Sequence, residues 1–391
     1  MTETGASVAP GSINRGEKPR ATAAWRPGDP VGHRRFLEIE ALPLEADPLG
    51  SIDVSLAYET WGELNEAKDN AVYVAHAFTG DSHVMGDAEP GHPSPGWWPG
   101  IVGPGKAIDP DRHFIVCANV VGGCQGTTGP AHPHPEDGKP WGSRFPWVTV
   151  RDMVAAEVRL ADALGIDRWR MVLGPSLGGL RALEWAASYP ERVQSIGVIG
   201  ATAATTADQI AWGSAQAQAI RLDPDFNDGD YYDTERGPHR GLALAREIAH
   251  TTYRTSAELE ARFGRDVQHG DPLTPDGQFA VQSYLAHHGN KLVDRFDANS
   301  YLRMIHAVDT HDVGRERGGA KQALSHFEGQ ALVVAVDSDR LYTVEDAHLT
   351  AAALPRNPEA TVLHATSGHD SFLANWPALD DEVRRAEHIL V

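Results

Sequence analysis

The pentapeptide Gly174-Pro175-Ser176-Leu177-Gly178 sets one hydroxyl between two glycines. It follows a short apolar run at 171–173. It precedes a helical pattern (Leu180, Ala182, Leu183, Trp185 and Ala186) that ends near Tyr189-Pro190. Strand, G-x-S-x-G, helix is the context in which a tight turn lifts a serine above a sheet edge, where it can act as a nucleophile. Glycines on either side let strand and helix approach with no Cβ between them. The backbone N–H of Leu177, at the start of the helix, is then placed to face a developing oxyanion. The plainer reading is a glycine-rich turn with a surface serine, and the flanking strand and helix weigh against it.

A serine nucleophile needs a base and an orienting carboxylate, in chain order Ser, Asp, His for this arrangement. With 19 histidines in the chain, position must do the selecting. The apolar run 331–336 is followed by Asp337-Ser338-Asp339, and the run 360–364 by Ser367-Gly368-His369-Asp370. Both loops fall at the carboxyl ends of strand candidates, where a parallel sheet places its ligands. His369 is therefore the expected base and Asp339 the orienter, with Asp337 as the rival carboxylate. His364 is the rival base. It lies in a strand run and is expected to pack.

The elements that must hold these groups are legible as periodicity. Residues 35–44 and 52–59 read as an antiparallel pair, the second alternating Ile52, Val54, Leu56 and Tyr58 on one face. Runs at 71–75, 113–118, 171–173, 193–199, 331–336 and 360–364 are apolar throughout, as in strands of a parallel sheet buried on both faces. Helical patterns separate them, clearest over 149–164, where Thr149 can cap and Asp152 supplies the acidic partner three residues on. The fold class is α/β, with helices on both sides of a mostly parallel sheet. Between 205 and 319 the alternation stops and the sequence turns helical and polar. The expected organisation is a disordered tail over 1–32, a core over 33–204 and 320–391, and a helical insertion over 205–319.

Composition bounds what such a site can serve. The chain has 391 residues and a formal charge of 34 − 54 = −20, which disfavours a sequence-blind grip on nucleic acid or anionic lipid. The first residues have no apolar signal segment, and no run is long enough to span a bilayer. Cys117 and Cys124 are expected to be free thiols in a reducing cytoplasm. His132, His134, Glu136 and Asp137 superficially suggest metal ligands, but their proline-rich surroundings read as a solvated turn. His287-His288 adjoin on a helix and point apart. Trp97-Trp98 are either a packing anchor or part of a ligand entry. No metal site is expected.

Several longer stretches are far more specific than the serine turn. They are Tyr58-Glu59-Thr60-Trp61-Gly62, the 76–83 segment His-Ala-Phe-Thr-Gly-Asp-Ser-His, and the 119–130 loop Asn-Val-Val-Gly-Gly-Cys-Gln-Gly-Thr-Thr-Gly-Pro. Ala182-Leu183-Glu184-Trp185, Ser283-Tyr284-Leu285 with Lys291-Leu292, and Gly368-His369-Asp370 add to them. Together they resemble the homoserine O-acetyltransferase family of α/β-hydrolase-fold acyltransferases. The resemblance implies transfer of an acetyl group from acetyl-CoA, as co-substrate, to the L-homoserine hydroxyl in methionine biosynthesis, with no tightly bound cofactor. By matched motif, Ser176 takes the acyl group, His369 shuttles the proton and Asp339 holds the imidazole, while the amides of Phe78 and Leu177 form the oxyanion hole. The zwitterionic acceptor needs a cation and an anion. The resemblance gives these as Arg246 and Asp370, with Tyr253 and Thr79 as further substrate contacts. It also makes the insertion a lid and a homodimer contact. Two departures are Pro175 before the nucleophile and Leu180-Arg181 after it. A succinyl donor, a serine acceptor, a plain serine esterase and a non-catalytic binding protein of the same fold are the competing readings. A succinyl donor would need an extra cation, for which Arg181, Arg303 and Arg340 are candidates.

Overall fold

Val72 and Val74 lie in one apolar layer and Ala71 and Tyr73 in another, and all four are fully buried. A strand covered on both faces needs helices on each side of its sheet. The computed structural model describes residues 20–45, 49–356, 359–374 and 376–389. Their strands are β1 (Arg35–Pro43), β2 (Ser51–Trp61), β3 (Ala71–Val74), β4 (Phe114–Ala118), β5 (Met171–Pro175), β6 (Ser195–Ile199), β7 (Val267–His269), β8 (Gln278–Phe279), β9 (Gln330–Val336) and β10 (Thr361–Leu363). β7 and β8 form a small hairpin. The other eight make one sheet in the order β1-β2-β4-β3-β5-β6-β9-β10. The β1/β2 and β2/β4 pairs are antiparallel and every later pair is parallel.

Helices α1 (Val150–Ala163) and α2 (Leu177–Ser188) cover one face, where Leu160, Leu180 and Leu183 pack with Tyr73 and Val172. Thr149 and Asp152 exchange side-chain and backbone hydrogen bonds (2.8 and 3.2 Å) and start α1 where the sequence places its cap. Helices α3 (Ala207–Arg221), α4 (His239–Tyr253), α5 (Ser256–Phe263), α6 (Ala280–Val293) and α7 (Ala298–Asp309) lie between β6 and β9 in the chain. They enclose a separate apolar cluster that includes Ile220, Leu242, Leu292 and Tyr301. Helices α8 (Ala320–Leu324) and α9 (Val344–Ala353) flank β9 in sequence, and α10 (Ser371–Ala374) and α11 (Trp376–Ile389) close the chain. Leu379 and Val383 of α11 pack against Val72, Ile115 and Met171 on the opposite face of the sheet from α1.

The expected tail divides in two. Residues 1–19 lie outside the described residues, whereas 20–32 are not a disordered tail but a packed strap. Ala21 and Ala24 are buried in the insertion's cluster, and Trp25 donates its amide to the Cys124 carbonyl (2.9 Å). Thr22 donates its hydroxyl to Asp297 (2.7 Å). Asp297 also accepts from Tyr231 and Tyr232 and caps α7 through the Ser300 amide. A segment without regular structure has no periodicity to read, and its partners lie hundreds of residues away.

Arg181, a departure from the family pattern, is fully buried behind the serine. Its guanidinium donates to Glu157 (2.6 Å) and to the His76 carbonyl (2.7 Å), while Trp185 donates to the other oxygen of Glu157 (2.7 Å). Removing one member of a buried pair strands the other charge. Arg181→Leu is expected to lower unfolding free energy by about 3–5 kcal/mol, measured by urea titration. A loss below about 1 kcal/mol would contradict the buried-pair account.

Candidate active site

The serine turn is built on a near-contact of backbones. A Cβ on Gly174 would stand 2.2 Å from the Ala75 carbonyl oxygen, and one on Gly178 would stand 2.1 Å from the same atom. Both positions therefore require glycine. Ser176 itself sits at φ 54°, ψ −121°, a left-handed conformation that costs a non-glycine residue of order 1–3 kcal/mol. Its amide donates to the Ile199 carbonyl (2.8 Å), fixing the turn against β6. Pro175 closes β5 opposite Ile199, where its missing N–H and fixed φ are tolerated. Leu177 opens α2, and Phe78 and Ser176 line one cleft. Among the described residues no acceptor is bonded to the amide of Phe78 or Leu177.

Two Asp–His pairs stand at the carboxyl ends of β9 and β10. Asp339 accepts from His369 Nδ1 (2.7 Å) and from the amides of Leu341 and Tyr342 (2.8 and 3.0 Å), and both side chains are buried. Asp337 pairs with His364 Nδ1 (2.9 Å), whose side chain is 87% exposed. The rival groups thus engage each other at the surface, and His364 does not pack as its place in a strand run suggested. It falls just past the end of β10, where the ring turns outward. The His369 ring lies 5.6 Å from Tyr253, 5.2 Å from Tyr342 and 5.4 Å from Phe372. Tyr253 and Tyr342 line the Ser176 cleft, and the imidazole packs against both of these lining rings. Burial alone would lower the His369 pKa, but Asp339, with Asp370, outweighs it and raises the value above 6.5.

The proposed acceptor contacts lie on α4 and beside the base. Arg246 is half-buried with its guanidinium 5.2 Å from the Tyr253 ring, and no carboxylate among the described residues forms an ion pair with it. Asp370 is not free: it pairs with Arg254 of the loop after α4 (3.1 Å), which also grips Glu258 (3.1 Å). The Thr79 hydroxyl and carbonyl accept from the half-buried Arg295 (3.2 and 2.7 Å), so Thr79 is held as part of the loop that carries Phe78. Arg254, Arg295 and Tyr342 went unnoticed in the sequence. Only Tyr342, three residues from Asp339, carried a positional signal.

Other expectations resolve differently. His132 is buried rather than solvated, bonded to the Gly126 carbonyl (3.2 Å), with burial lowering its pKa to about 4. His134 packs on Trp141 and Asp137 pairs with Arg144, so the four residues form no ligand set. Trp98 is fully buried and donates to the Phe372 carbonyl (2.9 Å), and Trp97 stacks on it: the pair is a packing anchor. Among the described residues the side chains that do converge are Glu59, His83 and His92. By type they could hold a cation. Ser82 and His83 already bond to Glu59 (2.8 and 2.9 Å), and His92 Nε2 accepts the His33 amide (3.2 Å).

Residues 70–375 match the α/β-hydrolase-fold family model. A homoserine O-acetyltransferase from Thermobifida fusca is 54% identical over 90% of this chain and 93% of its own length. The chain belongs to the homoserine O-acetyltransferase family. A solved homoserine O-acetyltransferase from Bacillus anthracis superposes with TM-score 0.82 at 26% identity, covering 90% of this chain and 96% of that one. Esterase E22 superposes almost as well, with TM-score 0.80 at 27% identity over 90% of this chain and 99% of that one. The family's overall fold is thus shared with an esterase. Among the described residues no helix is long and apolar enough to cross a membrane.

A base must be neutral to accept a proton, so activity is expected to rise with pH through an apparent pKa above 6.5. Asp339→Asn removes the charge that raises it. The acid limb of kcat/KM should then move to lower pH while turnover falls. Asp337→Asn should leave the limb in place, and the opposite ranking in pH–rate profiles would reassign the orienting carboxylate.

Proposed function

We propose that the protein is an acyltransferase that moves the acetyl group of acetyl-CoA to the hydroxyl of L-homoserine through an acyl-serine. The observation that carries this reading is the buried Asp339–His369 pair packed against Tyr253 and Tyr342, which line the cleft that holds Ser176, in a chain 54% identical to an acetyltransferase of that name. Ser176 Oγ attacks the thioester carbonyl and His369 takes its proton. The oxyanion is met by the amides of Phe78 and Leu177. CoA leaves as the thiol, with the proton returned by His369. The acceptor hydroxyl then gives its proton to the same imidazole and attacks the acyl-serine, and the ester leaves as Ser176 recovers its hydrogen. Asp339 keeps the imidazole in one tautomer and stabilises its charged form. Arg246 supplies the cation for the acceptor carboxylate, and Asp370, steadied by Arg254, supplies the anion for its ammonium. The chemistry needs no bound cofactor, and the reaction is placed in the cytoplasm.

The insertion is read as both lid and dimer contact. Leu222, Leu244 and Leu273, all within it, are exposed apolar side chains that a second subunit would cover. An esterase likeness favours hydrolysis as a second reading. Arg246, which has no ion-pairing carboxylate among the described residues, argues for an amino-acid acceptor over water.

Mass spectrometry of protein quenched with acetyl-CoA alone should find one acetyl group on the peptide carrying Ser176. Ser176→Ala and His369→Ala should each lower turnover by roughly 10³ or more and not add when combined. Intersecting double-reciprocal plots without an acetylated peptide would instead mean direct transfer. Light scattering at micromolar concentration should give twice 42.2 kDa, and a monomer mass would remove the dimer.

A further inference from the structure

The cleft that holds Ser176 is walled by α3 and α7, and its one carboxylate among the described lining residues is Asp309, at the end of α7. Asp309 is half-buried, and among the described residues it forms no side-chain hydrogen bond or ion pair. The helix facing it has been shaped around it. A Cβ on Gly213, in the middle of α3, would come within 2.7 Å of Asp309 Oδ1 and 3.3 Å of Ile305. A mid-helix glycine is disfavoured relative to alanine, and here it leaves room for a carboxylate.

The cations that a negatively charged acyl group would need are elsewhere. Arg181 is sealed behind the serine on Glu157. Arg303 is buried on the carbonyls of Ser143 and Phe145. Arg340 lies 5.8 Å from the Trp212 ring and is not among the residues lining the cleft.

We infer that Asp309 selects the charge of the acyl group: its carboxylate, on the wall of the nucleophile's cleft, repels an anionic donor such as succinyl-CoA and restricts transfer to uncharged acyl groups. Like charges brought together in a partly desolvated cleft repel far more than in water. The inference rests on the acyltransferase reading above and assigns its donor specificity to one residue. Burial raises the Asp309 pKa to about 6, so the selection should strengthen as pH rises through that value. Tyr342, whose hydroxyl feels both Asp309 and Asp346, stays neutral there. The other charged or titratable groups near this wall are Tyr253 with Arg246 behind it, Arg340 beside Trp212, the Asp339–His369 pair behind Tyr342, and His306 and Arg303 on α7. All remain in a variant changed only at 309, so a difference between the two proteins isolates Asp309.

The experiment measures kcat/KM for acetyl-CoA and succinyl-CoA with L-homoserine, from pH 5.5 to 8, in the unaltered protein, Asp309→Asn and Asp309→Lys. Asp208→Asn, an exposed carboxylate on α3, is the control for net charge. The acetyl-to-succinyl ratio should climb with pH in the unaltered protein and in the control. In Asp309→Asn it should fall by about tenfold or more and lose its pH dependence, and in Asp309→Lys it should fall further. A ratio unchanged within about twofold in both variants, with acetyl transfer intact in the unaltered protein, overturns the assignment alone. A raised KM for homoserine with the donor ratio unchanged also overturns it and places Asp309 on the acceptor's ammonium. If the unaltered protein transfers neither group to homoserine, the acyltransferase reading falls and this inference with it.

Discussion

One carbonyl oxygen, that of Ala75, fixes the geometry on which the site depends. It lies where β3 ends, so close to Gly174 and Gly178 that neither could carry a Cβ. The strand-to-helix turn is thereby pinned to the neighbouring strand, and Ser176 is held in a conformation it would not choose in isolation. The next residue continues the same function. The His76 carbonyl accepts from Arg181 on α2, and its ring nitrogen accepts the Val120 amide at the start of the 119–130 loop. Burial keeps this imidazole neutral, lowering its pKa to about 3. Three pieces of chain that must agree in position are therefore joined over two residues: the turn, the loop carrying Phe78 and the long family-specific loop.

How much of this was legible in the sequence follows from the range of the interactions involved. Strands buried on both faces announce themselves as apolar runs, and the observed β3, β4, β5, β6, β9 and β10 lie within a residue or two of those runs. The serine turn and the Thr149 cap are local and were readable for the same reason. Position brought Asp339 and His369 forward but left Asp337 and His364 as rivals. The feature that distinguishes the pairs, burial of one and exposure of the other, required the fold. The ion pair between Asp370 and Arg254 joins residues on different elements, and nothing near either one in the chain signals it. The wall formed by α3 and α7 was equally hidden. Both lie in the stretch read only as helical and polar, and nothing in that stretch singles out Asp309.

The two Asp–His pairs also show why residue type does not make a base. Both have a carboxylate on Nδ1 at nearly the same distance, 2.7 and 2.9 Å. Only one is enclosed between aromatic rings beside a serine. Water surrounds the other and weakens every interaction it makes. The likeness to an esterase carries the same lesson at the scale of the fold. A shared fold does not by itself decide which molecule is acted on, and α3 and α7 of the insertion wall the cleft that holds Ser176.

The strap at residues 20–32 bears on how the molecule is made. Asp297 gathers a hydroxyl from Thr22, 275 positions earlier, together with two tyrosine hydroxyls from within the insertion. During synthesis the strap leaves the ribosome long before the residue it must meet. About seven tenths of the chain separates the strap from Asp297, although Cys124, a nearer partner, is made much earlier. Joining the strap to the helices that wall the cleft closes a very long loop, an entropically costly contact. The N-terminal segment thus fastens the insertion across most of the chain's length.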